Sequence, residues 1–436
     1  MTLTGKHIAI LGAGRSGRAA AALALREGAT VSVWDAAGPA AFVGMPEAAV
    51  LHPLATAADG LAQRCDLLVV SPGIDTYGPY VAAFAAHAGE VLGEVELAAR
   101  FYQGQIIGIT GTNGKTTTTE LVSLILAQAG LGGTPCGNYG TPFAEVVLRD
   151  TPPAAVALEL SSFQLETIRT LHPVVAVWLN FAPDHMDRYP TVEAYRNAKL
   201  RIFENQTAAD TAVVRAGEML PPLAARIVTF ATTGEPAEWT SDGEIIRHGG
   251  ELAFDLTKDT RLRGLHNAEN TMAALAVGHA LGIPLALMAA ALHNYAPPVH
   301  RCELIRTLDG VEYLNDSKAT NLHALESALR SQTRPVVLLV GGKDKGLDYS
   351  PVLPLLCAKA LACVTYGQLA QPLAELFATA VTTQAVTTLA EALAVARPLA
   401  PRGSSILLSP GTSSFDQFTG YEQRGDMFRN LVNQLR

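Results

Sequence analysis

Short apolar runs alternate with longer helical patterns along almost the whole chain. The runs HIAILG (7–12), TVSVWD (30–35) and DLLVVSPG (66–73) are apolar or β-branched and end at Gly, Asp or Pro, which is typical of buried strands. Stretches such as GRAAAALALREG (17–28) lie between them and predict helices. Because this alternation is the pattern of parallel sheets, we predict an α/β protein built from strand–helix units.

Two changes in the pattern divide the chain into three predicted domains. The first unit closes near Gly93, and a second opens at GQIIGITG with later strands VALELSS and VVAVWLN. Within the second unit, the Ser-Asp-Gly and His-Gly-Gly turns of residues 226–258 predict antiparallel hairpins. The Pro-rich segment NYAPPVHR (294–301) is the second joint. We therefore predict domains 1–93, 94–298 and 299–436.

The remaining elements complete the predicted fold class. A helix that ends at Gly282 and Pro284 is predicted for LHNAENTMAALAVGHALGIP. A hairpin around Asp309-Gly310 is predicted for CELIRTLDGVEYLNDS. Three more strands follow in PVVLLVGG, LACVTYG and SSILLSPG. We expect Rossmann-like N-terminal and C-terminal domains on either side of a central P-loop ATPase-like domain with a small antiparallel sheet.

Composition and charge exclude several classes of protein. The chain has 436 residues, of which 49% are hydrophobic and 17% charged, so it is not disordered. A net charge of −8 argues against binding nucleic acid or anionic lipid through a basic surface. Five scattered cysteines lack the spacing of metal ligands. The first residues, MTLTGKHIAI, lack the basic region and the cleavage site of a secretory signal peptide. We therefore expect a cytoplasmic monomer with reduced thiols and no nucleic-acid or membrane partner.

Two glycine-rich turns could bind a nucleotide. The first, HIAILGAGRSG with Gly12, Gly14 and Gly17, precedes a second strand that ends at Asp35, as in NAD-dependent dehydrogenases. The second is GITGTNGKTTTTE (108–120), in which glycines and a helix N-terminus favour phosphate. There Lys115 would bind β/γ-phosphates and Thr116 would ligate Mg²⁺, although Ile109 breaks the strict P-loop pattern.

Further candidate residues lie near strand ends of the central unit. Glu159 in LELSSFQLE and His185 in LNFAPDHMDRYP, beside Asp184 and Asp187, are suited to Mg²⁺ near phosphates. The alternatives are a helix N-cap or a satisfied buried acid for Glu159, and a loop histidine packed on Tyr189 for His185. From the residues alone, Lys199 and Arg201 in YRNAKLRIFEN predict a solvated helix face.

At this point the motifs can be taken together. Eight motifs follow one another along the chain, and together they resemble the Mur ligase family over essentially its whole length. In order, they are GTNGKTTT, ELSSFQLE, NFAPDHMDRY, AYRNAKLRIFEN, LRGLHNAEN, HRCE, NDSKATN and SPGTSSFDQFTGYEQRG. SSFQLE, DHMDRY and FDQF…YEQRG are similar to its D-glutamate-adding branch, whereas GTNGKT is shared with folylpolyglutamate synthases. The resemblance implies an enzyme of peptidoglycan synthesis with three domains. They would bind the UDP of UDP-MurNAc-L-Ala, ATP and glutamate, and the L-Ala carboxylate would react as an acyl phosphate.

The resemblance also implies roles for single residues. The ATP contacts are Gly111, Thr112, Asn113, Gly114, Lys115, Thr116, Thr117, Asn267, Asn270, Arg301 and Asp316. The catalytic residues are Lys115, Glu159, His185 and a carbamylated Lys199, and the ligands of two Mg²⁺ ions are Thr116, Glu159 and His185. The substrate contacts are Arg15, Ser16, Asp35, Ser71, Pro72, Gly73, Asn138, Ser161, Lys318, Thr320, Lys345, Ser414 and Tyr421, with Thr320, Lys345, Ser414 and Tyr421 for glutamate.

The chain departs from the family pattern in the third domain. Cys302 stands where Phe is expected, Gly411-Thr412 where Ala-Cys or Ala-Ala is common, and Tyr421 where Phe is frequent. Lys343 and Lys345 are rivals for the glutamate carboxylate. A ligase for another amino acid or for folate, an L-glutamate-adding variant, an NAD-dependent dehydrogenase and a P-loop switch remain alternatives. We further expect domain closure about a hinge at Ala296-Pro297-Pro298.

Overall fold

The structure is a computed structural model that describes residues 2–186, 188–232, 234–260, 262, 264–293, 295 and 299–436. The predicted hinge at 296–298 and the candidate Asp187 lie outside the described residues. The chain forms two compact units. One comprises Met1–Phe254 with Glu269–His293, and the other comprises Asp255–Ala268 with Asn294–Arg436.

The first sheet has five parallel strands in the order β3-β2-β1-β4-β5 among the described residues. Its strands are β1 (His7–Leu11), β2 (Thr30–Asp35), β3 (Val50–Pro53), β4 (Cys65–Val70) and β5 (Ala88–Gly93). Its helices are α1 (Arg15–Arg26), α2 (Ala57–Gly60), α3 (Pro79–Ala85) and α4 (Glu94–Ala99). The three predicted strands are confirmed. The sequence pattern misses β3 because this edge strand is largely exposed and has no continuous apolar run.

The second sheet has nine strands within the described part of the chain, in the order β14-β13-β12-β11-β10-β9-β6-β8-β7. They are β6 (Gln105–Thr110), β7 (Gly132–Gly137), β8 (Ala155–Glu159), β9 (Val175–Trp178), β10 (Thr211–Arg215), β11 (Arg226–Ala231), β12 (Trp239–Ser241), β13 (Ile245–His248) and β14 (Glu251–Asp255). The hairpin predicted at the Ser241-Asp242-Gly243 turn is confirmed, because β12 pairs antiparallel with β13 across it. The His248-Gly249-Gly250 turn joins β13 to β14, and these two strands are neighbours in the sheet. Strand β11, which precedes both turns, pairs in parallel with β10 and β12.

The first two sheets share a single core. The helices in this part of the chain are α5 (Lys115–Gln128), α6 (Phe143–Val147), α7 (Ser162–Leu165), α8 (Val192–Leu200), α9 (Leu256–Asp259), α10 (Leu265–Ala280) and α11 (Leu285–Leu292). Of these, α9 and the first residues of α10 belong to the second compact unit. Leu23 of α1, Leu97 of α4, Phe143 of α6 and Trp178 of β9 are fully buried members of one hydrophobic cluster. Burial of such side chains accounts for the packing of both sheets in one compact unit. The predicted helix at 265–284 is confirmed, with Gly282 at a positive φ after its end.

The third sheet has six strands among the described residues, in the order β15-β16-β20-β17-β18-β19. They are β15 (Glu303–Leu308), β16 (Val311–Asn315), β17 (Val336–Gly341), β18 (Ala360–Tyr366), β19 (Thr383–Ala385) and β20 (Ser405–Leu408). The helices are α12 (Leu322–Arg330), α13 (Leu353–Lys359), α14 (Ala370–Phe377), α15 (Leu389–Ala396) and α16 (Tyr421–Asn433). The predicted β15–β16 hairpin is confirmed, with Asp309 and Gly310 both at positive φ.

The α/β class is therefore confirmed, with three sheets along the chain. The domain boundaries at residues 93 and 298 stay predictions. No helix among the described residues is long and apolar enough to cross a membrane.

Candidate active site

The second glycine-rich turn joins β6 to α5 and is held in shape by the segment after β9. The amide N–H of Asn113 donates to Oδ1 of Asn180 at 2.9 Å, and Nδ2 of Asn180 donates back to the Asn113 carbonyl at 3.1 Å. The Thr112 hydroxyl donates to the carbonyl of Ala182 at 3.0 Å. Gly114 has a φ of 84°, and a Cβ there would overlap Oδ1 of Asn270. The turn therefore requires glycine at this position and is preformed at the N-terminus of α5.

Two lysines converge on this turn. Nζ of Lys115 donates to the carbonyls of Gly111 and Thr112, both at 2.9 Å. Nζ of Lys199 donates to the same Gly111 carbonyl at 2.9 Å and lies 4.9 Å from the ring centre of Tyr195. The turn thus concentrates positive charge where the sequence predicts the phosphates of a nucleotide.

The solvated-face interpretation of Lys199 and Arg201 is wrong. Lys199 is only 2% exposed, and Nη2 of Arg201 donates to the carbonyl of Ile168 at 2.7 Å. Burial, and after it the charge of Lys115, lowers the pKa of Lys199 well below its usual value, against the opposing charges of Asp184 and Glu159. The charge of Lys199 hides this in the sequence, because Lys199 lies on the same buried face of α8 as Tyr195 and Ala198, whereas Glu193 of that helix is exposed.

Glu159 ends strand β8 and pairs with Asn138 on the neighbouring strand end. Nδ2 of Asn138 donates to Oε1 of Glu159 at 2.7 Å, and the amide N–H of Asn138 donates to the Glu159 carbonyl at 2.9 Å. Glu159 is 2% exposed, and its Oε2 has no hydrogen-bond partner among the described residues. Neither alternative for Glu159 holds, because Ser161 is the N-cap of α7 and this acid is only half satisfied. An unpartnered buried carboxylate oxygen is suited to a cation.

His185 lies in the loop after β9 at a positive φ of 57°. Its ring centre is 5.0 Å from that of Phe163 and 5.9 Å from that of Tyr195, and its Nε2 is 3.9 Å from Oδ2 of Asp184. The side chain is 46% exposed, so it is accessible to a ligand. No group of three His, Cys, Asp or Glu residues in the described segments is arranged to hold a metal ion. The Mg²⁺ ligands Thr116, Glu159 and His185 therefore stay a prediction, of the kind in which substrate phosphates complete the coordination.

The other predicted nucleotide contacts lie on α5 and α10. Thr116 and Thr117 are buried in the first turn of α5. Asn270 of α10 is 5% exposed and accepts a hydrogen bond from the Thr118 hydroxyl at 3.4 Å. Asn267 is also buried on α10, but it belongs to the second compact unit. Asn270 therefore lies beside the glycine turn, whereas the adenine contact of Asn267 stays a prediction.

The first glycine-rich turn lies at the carboxyl ends of β1, β2 and β4. Oδ2 of Asp35 accepts from the amide N–H of Ala13 at 2.7 Å, and Ser71 donates its amide N–H to the Leu11 carbonyl. A Cβ at Gly17 would overlap the Gly12 carbonyl oxygen, so the third glycine serves close packing. Ligands of open α/β sheets bind at this edge. Arg15 follows the turn and donates to the carbonyl of Gly140 at 3.1 Å. Ser16, in the first turn of α1, and Pro72 and Gly73, in the loop after β4, are partly or fully exposed.

In the second compact unit, Asp316 is the most perturbed acid of the predicted site. It accepts from the Ser409 hydroxyl at 2.8 Å and from the amide N–H of Cys302 at 3.2 Å. Burial raises the pKa of Asp316 to about 7, while these hydrogen bonds and the charge of Arg301 oppose the rise. Cys302 itself has a φ of 45°, in a region that side chains rarely adopt. Asp316 and Arg301 are thus brought together as the resemblance implies.

Two lysines among the predicted substrate contacts each lie beside a predicted glutamate contact in this unit. Nζ of Lys318 lies 3.7 Å from the ring centre of Tyr421, and Nζ of Lys345 donates to the Thr320 carbonyl at 3.3 Å. Ser414 is 2% exposed. The second lysine contact favours Lys345 over Lys343 as the cation beside Thr320.

Sequence reasoning missed two buried arginines. Arg424 is fully buried; its Nε donates to the Ser317 hydroxyl at 2.9 Å and its Nη1 to the Thr412 carbonyl at 3.2 Å. It therefore ties together the two loops that carry Lys318 and Ser414. Arg188, three residues after His185, contacts the Pro72–Ile74 loop through its guanidinium. Both arginines belong to motifs that the sequence analysis quotes, YEQRG and DHMDRY. Their place in these motifs is the signal by which sequence reasoning could have found them.

Comparison with known proteins places all three segments in one family. The Mur ligase MurD-like N-terminal domain matches residues 6–93, the Mur ligase middle domain matches 109–278, and the Mur ligase glutamate ligase domain matches 300–411. The UDP-N-acetylmuramoylalanine--D-glutamate ligase of Myxococcus xanthus is 41% identical over 100% of both chains, and that of Geobacter metallireducens is 39% identical over 100% of this chain and 99% of its own.

Solved structures share the fold at lower identity. The UDP-N-acetylmuramate-alanine ligase MurC of Thermotoga maritima superposes with a TM-score of 0.61 at 18% identity, covering 98% of this chain and 99% of its own. A MurF ligase of Thermotoga maritima in complex with ADP gives a TM-score of 0.57 at 17% identity, covering 87% of this chain and 97% of its own. The chain therefore belongs to the Mur ligase family, and relatives that match it over their full length are UDP-N-acetylmuramoylalanine--D-glutamate ligases.

Proposed function

We propose that this protein is an ATP-dependent ligase that joins the amine of D-glutamate to the L-alanyl carboxylate of UDP-N-acetylmuramoyl-L-alanine. The observation that carries the proposal is the glycine turn on which Lys115 and Lys199 share one carbonyl, beside the half-satisfied carboxylate of Glu159. The names of the full-length relatives specify the two substrates. The D-enantiomer rests on those names, since the pocket residues alone do not distinguish it from L-glutamate.

The chemistry explains why such a site needs cations. A carboxylate resists attack by an amine, because it is an anion and its oxygen is a poor leaving group. Transfer of the γ-phosphoryl group of ATP to the carboxylate oxygen gives an acyl phosphate and ADP. The glutamate amine then attacks the carbonyl carbon, loses a proton and expels phosphate from a tetrahedral intermediate. Lys115, at the N-terminus of α5, is positioned to bind the phosphate oxygens on which negative charge accumulates.

The residues present fit a bound Mg²⁺ ion. The buried Oε2 of Glu159, which has no partner in the described part of the chain, and the hydroxyl of Thr116 at the start of α5 would hold it, with His185 as a further ligand. When bound, Mg²⁺ neutralises phosphate charge and orients the transferring group. Asn138 keeps Oε1 of Glu159 occupied through its amide, so the other oxygen is left for the metal. We propose two such ions, as the family resemblance implies.

Lys199 would act as a carbamate. Its lowered pKa favours the neutral amine, the form that adds CO₂. Addition of CO₂ to the neutral Lys199 amine, with release of a proton, would place a carbamate beside the Lys115 ammonium and form an ion pair with it. The product is an anion that can position a metal ion and the substrate.

The two other substrates would bind at the two outer sheets. The turn around Arg15 and Ser16, together with Asp35, Ser71, Pro72 and Gly73, would bind the UDP group, with Asn138 and Ser161 near the muramoyl part. Thr320, Lys345, Ser414 and Tyr421 would bind glutamate, with the Lys345 ammonium pairing with a carboxylate and Lys318 as a further substrate contact. Arg301, Asp316, Asn267 and Asn270 would contact ATP. We further propose a cytoplasmic monomer without nucleic-acid or membrane partners, consistent with the net charge of −8.

Phosphate release from ATP tests this function directly. Purified protein is incubated with Mg²⁺, ATP and UDP-MurNAc-L-Ala, with D-glutamate, L-glutamate or no amino acid, and the amide product is identified by mass spectrometry. UDP-MurNAc without the alanine is the matched control acceptor. Release and product with D-glutamate alone are expected. Turnover with L-glutamate would overturn the stereochemical assignment, and phosphate release without any amide product would overturn the ligase.

A further inference from the structure

Arg188, in the segment that follows β9 of the second sheet, contacts the loop after β4 of the first sheet, within the first compact unit. Its Nη2 donates to the Ile74 carbonyl at 2.7 Å, and its Nη1 donates to the Pro72 carbonyl at 3.3 Å. Its Nε lies 3.6 Å from Oδ1 of Asp75. One guanidinium therefore fixes two carbonyls of the Ser71–Asp75 loop, on either side of Gly73.

The Arg188 guanidinium is also held by residues that follow β8 of the second sheet. It lies 4.3 Å from the ring centre of Phe163, and its Nη2 lies 3.8 Å from Oε2 of Glu166. Oε1 of Glu166 accepts from the Tyr189 hydroxyl at 2.5 Å, and the Tyr189 ring stacks on Phe163 at 5.7 Å. The Arg188 side chain is only 15% exposed. A planar cation between an aromatic face and a carboxylate has little freedom to move.

Within the loop, Ile74 packs against an apolar cluster of the first sheet. Next to the loop, a cavity of about 520 Å³ is lined by Asp75, Tyr77, Glu166, Arg188 and Arg201, together with apolar residues such as Ala194. Beside this unfilled space, the carbonyls of Pro72 and Ile74 are held by the polar contacts of Arg188. Gly73, between the two fixed carbonyls, is exposed, and nothing described lies within 4 Å of the place its Cβ would occupy. That peptide is left accessible to a ligand.

We propose that Arg188 is a positioning residue for the uridine-carrying substrate: it holds the Ser71–Asp75 loop in the conformation that binds the UDP group. This inference rests on the proposed function, since that function assigns Ser71, Pro72 and Gly73 to UDP. Arg188 acts through the loop and is not itself a catalytic residue. Losing it would lower the fraction of molecules with a competent loop, and the apparent affinity falls by that fraction.

The chain contains a matched control for the test. Arg26 at the end of α1 also reaches across to the central segment, where its Nη1 donates to the Val147 carbonyl at 2.9 Å. It makes the same chemical contact, an arginine on a backbone carbonyl, but its partner lies at the end of α6 and not in the Ser71–Asp75 loop. Arg26→Ala therefore reports what the loss of such a contact does to the packing of the unit alone.

The experiment measures UDP binding by calorimetry in the wild type, Arg188→Ala, Arg188→Lys and Arg26→Ala, together with steady-state KM values for UDP-MurNAc-L-Ala and ATP. We expect Arg188→Ala to raise the Kd for UDP and the KM for UDP-MurNAc-L-Ala about tenfold, with the KM for ATP nearly unchanged. Arg188→Lys keeps the charge without the planar fork and should recover only part of the affinity. Arg26→Ala should leave the Kd for UDP unchanged, although thermal unfolding shows a lower Tm.

Three results would overturn the proposal. These are an equal loss of UDP affinity in Arg26→Ala and Arg188→Ala, an equal rise in the KM values for ATP and UDP-MurNAc-L-Ala, or a wild type that binds no UDP. If Arg188→Ala does not fold, the Kd of Arg188→Lys decides, and a wild-type value would overturn the proposal. A wild type that binds UDP but makes no amide product would contradict the proposed function alone, because UDP binding tests the loop independently of turnover.

Discussion

The ammonium groups of Lys115 and Lys199 donate to the same acceptor, the carbonyl oxygen of Gly111, each at 2.9 Å. Two cations on one neutral carbonyl repel each other, and the buried one is the weaker base, since burial and Lys115 lower the pKa of Lys199. Asp184 and Glu159 act on Lys199 with the opposite charge, and the site is suited to further anions beside the two lysines. Phosphate groups and a carbamate on Lys199 would both meet that need.

Replacing Lys199 with methionine tests this arrangement. Methionine has similar length without the charge, so we expect Lys199→Met to fold with a Tm at or above that of the wild type, because burying an ammonium is costly. Ligase activity should fall by about 10²- to 10⁴-fold, the range for losing one preorganised charged group at a reacting centre. For the wild type, removing dissolved CO₂ should lower the rate and bicarbonate should restore it. A Lys199→Met variant with wild-type turnover would contradict the role of this lysine.

Glu159→Gln separates stability from function at the neighbouring carboxylate. Gln keeps the acceptor for Nδ2 of Asn138 and removes a buried charge whose Oε2 has no described partner. We expect the free energy of unfolding to rise by about 1 kcal/mol. The Mg²⁺ concentration for half-maximal activity should increase at least about tenfold, because a carboxamide is a weaker ligand for Mg²⁺. Denaturant unfolding and Mg²⁺ titrations of turnover measure the two effects. A less stable variant with an unchanged Mg²⁺ requirement would show that Glu159 is structural.

Gly17 and Gly14 should respond differently to the same substitution. A Cβ at Gly17 would overlap the Gly12 carbonyl, whereas none of the described atoms lies within 4 Å of a Cβ at Gly14. We expect Gly17→Ala to cost about 1–3 kcal/mol of unfolding free energy, as overpacking does, and to weaken UDP binding. Gly14→Ala should unfold like the wild type, and urea unfolding of both proteins measures the difference. Equal midpoints would indicate that the turn yields without strain.

Glu94 should make stability depend on pH. It is fully buried at the start of α4 and accepts from the amide N–H of Ala144 at 2.6 Å, and burial raises its pKa from 4.5 to about 7. Between those two values the unfolded chain is ionised while the folded protein keeps the proton, so its contribution to stability falls as pH rises through this window and is constant above it. Relative to Glu94→Gln, which keeps the acceptor, the wild type should lose about 3 kcal/mol between pH 4.5 and neutral pH. Unfolding curves at a series of pH values measure this, and a constant difference between the two proteins would contradict it.

The sequence by itself determined most of the elements, and it predicts where phosphate binds. Strands such as β1, β6 and β17 are short apolar runs, and the Asp309-Gly310 turn predicts its hairpin, because these features depend on local propensity and on the period of apolar residues. The segment 111–116 likewise predicts a phosphate site, since a glycine turn followed by Lys-Thr at the start of a helix is a local arrangement. The order of motifs sufficed to identify the family.

Only the tertiary structure decided what happens to charges that come together from distant parts of the chain. Lys199 would be solvated on an isolated helix, yet packing buries the face of α8 that it shares with Tyr195 and brings it to the Gly111 turn, 88 residues away. Arg188 reaches the Pro72–Ile74 carbonyls, and Arg424 reaches Ser317, across similar separations. The parallel pairing of β11 with β10 and β12 is likewise set by the whole sheet and not by a local turn. Periodicity reports which side of an element is polar, but whether that side meets water or a second charged loop depends on the packing of the entire unit.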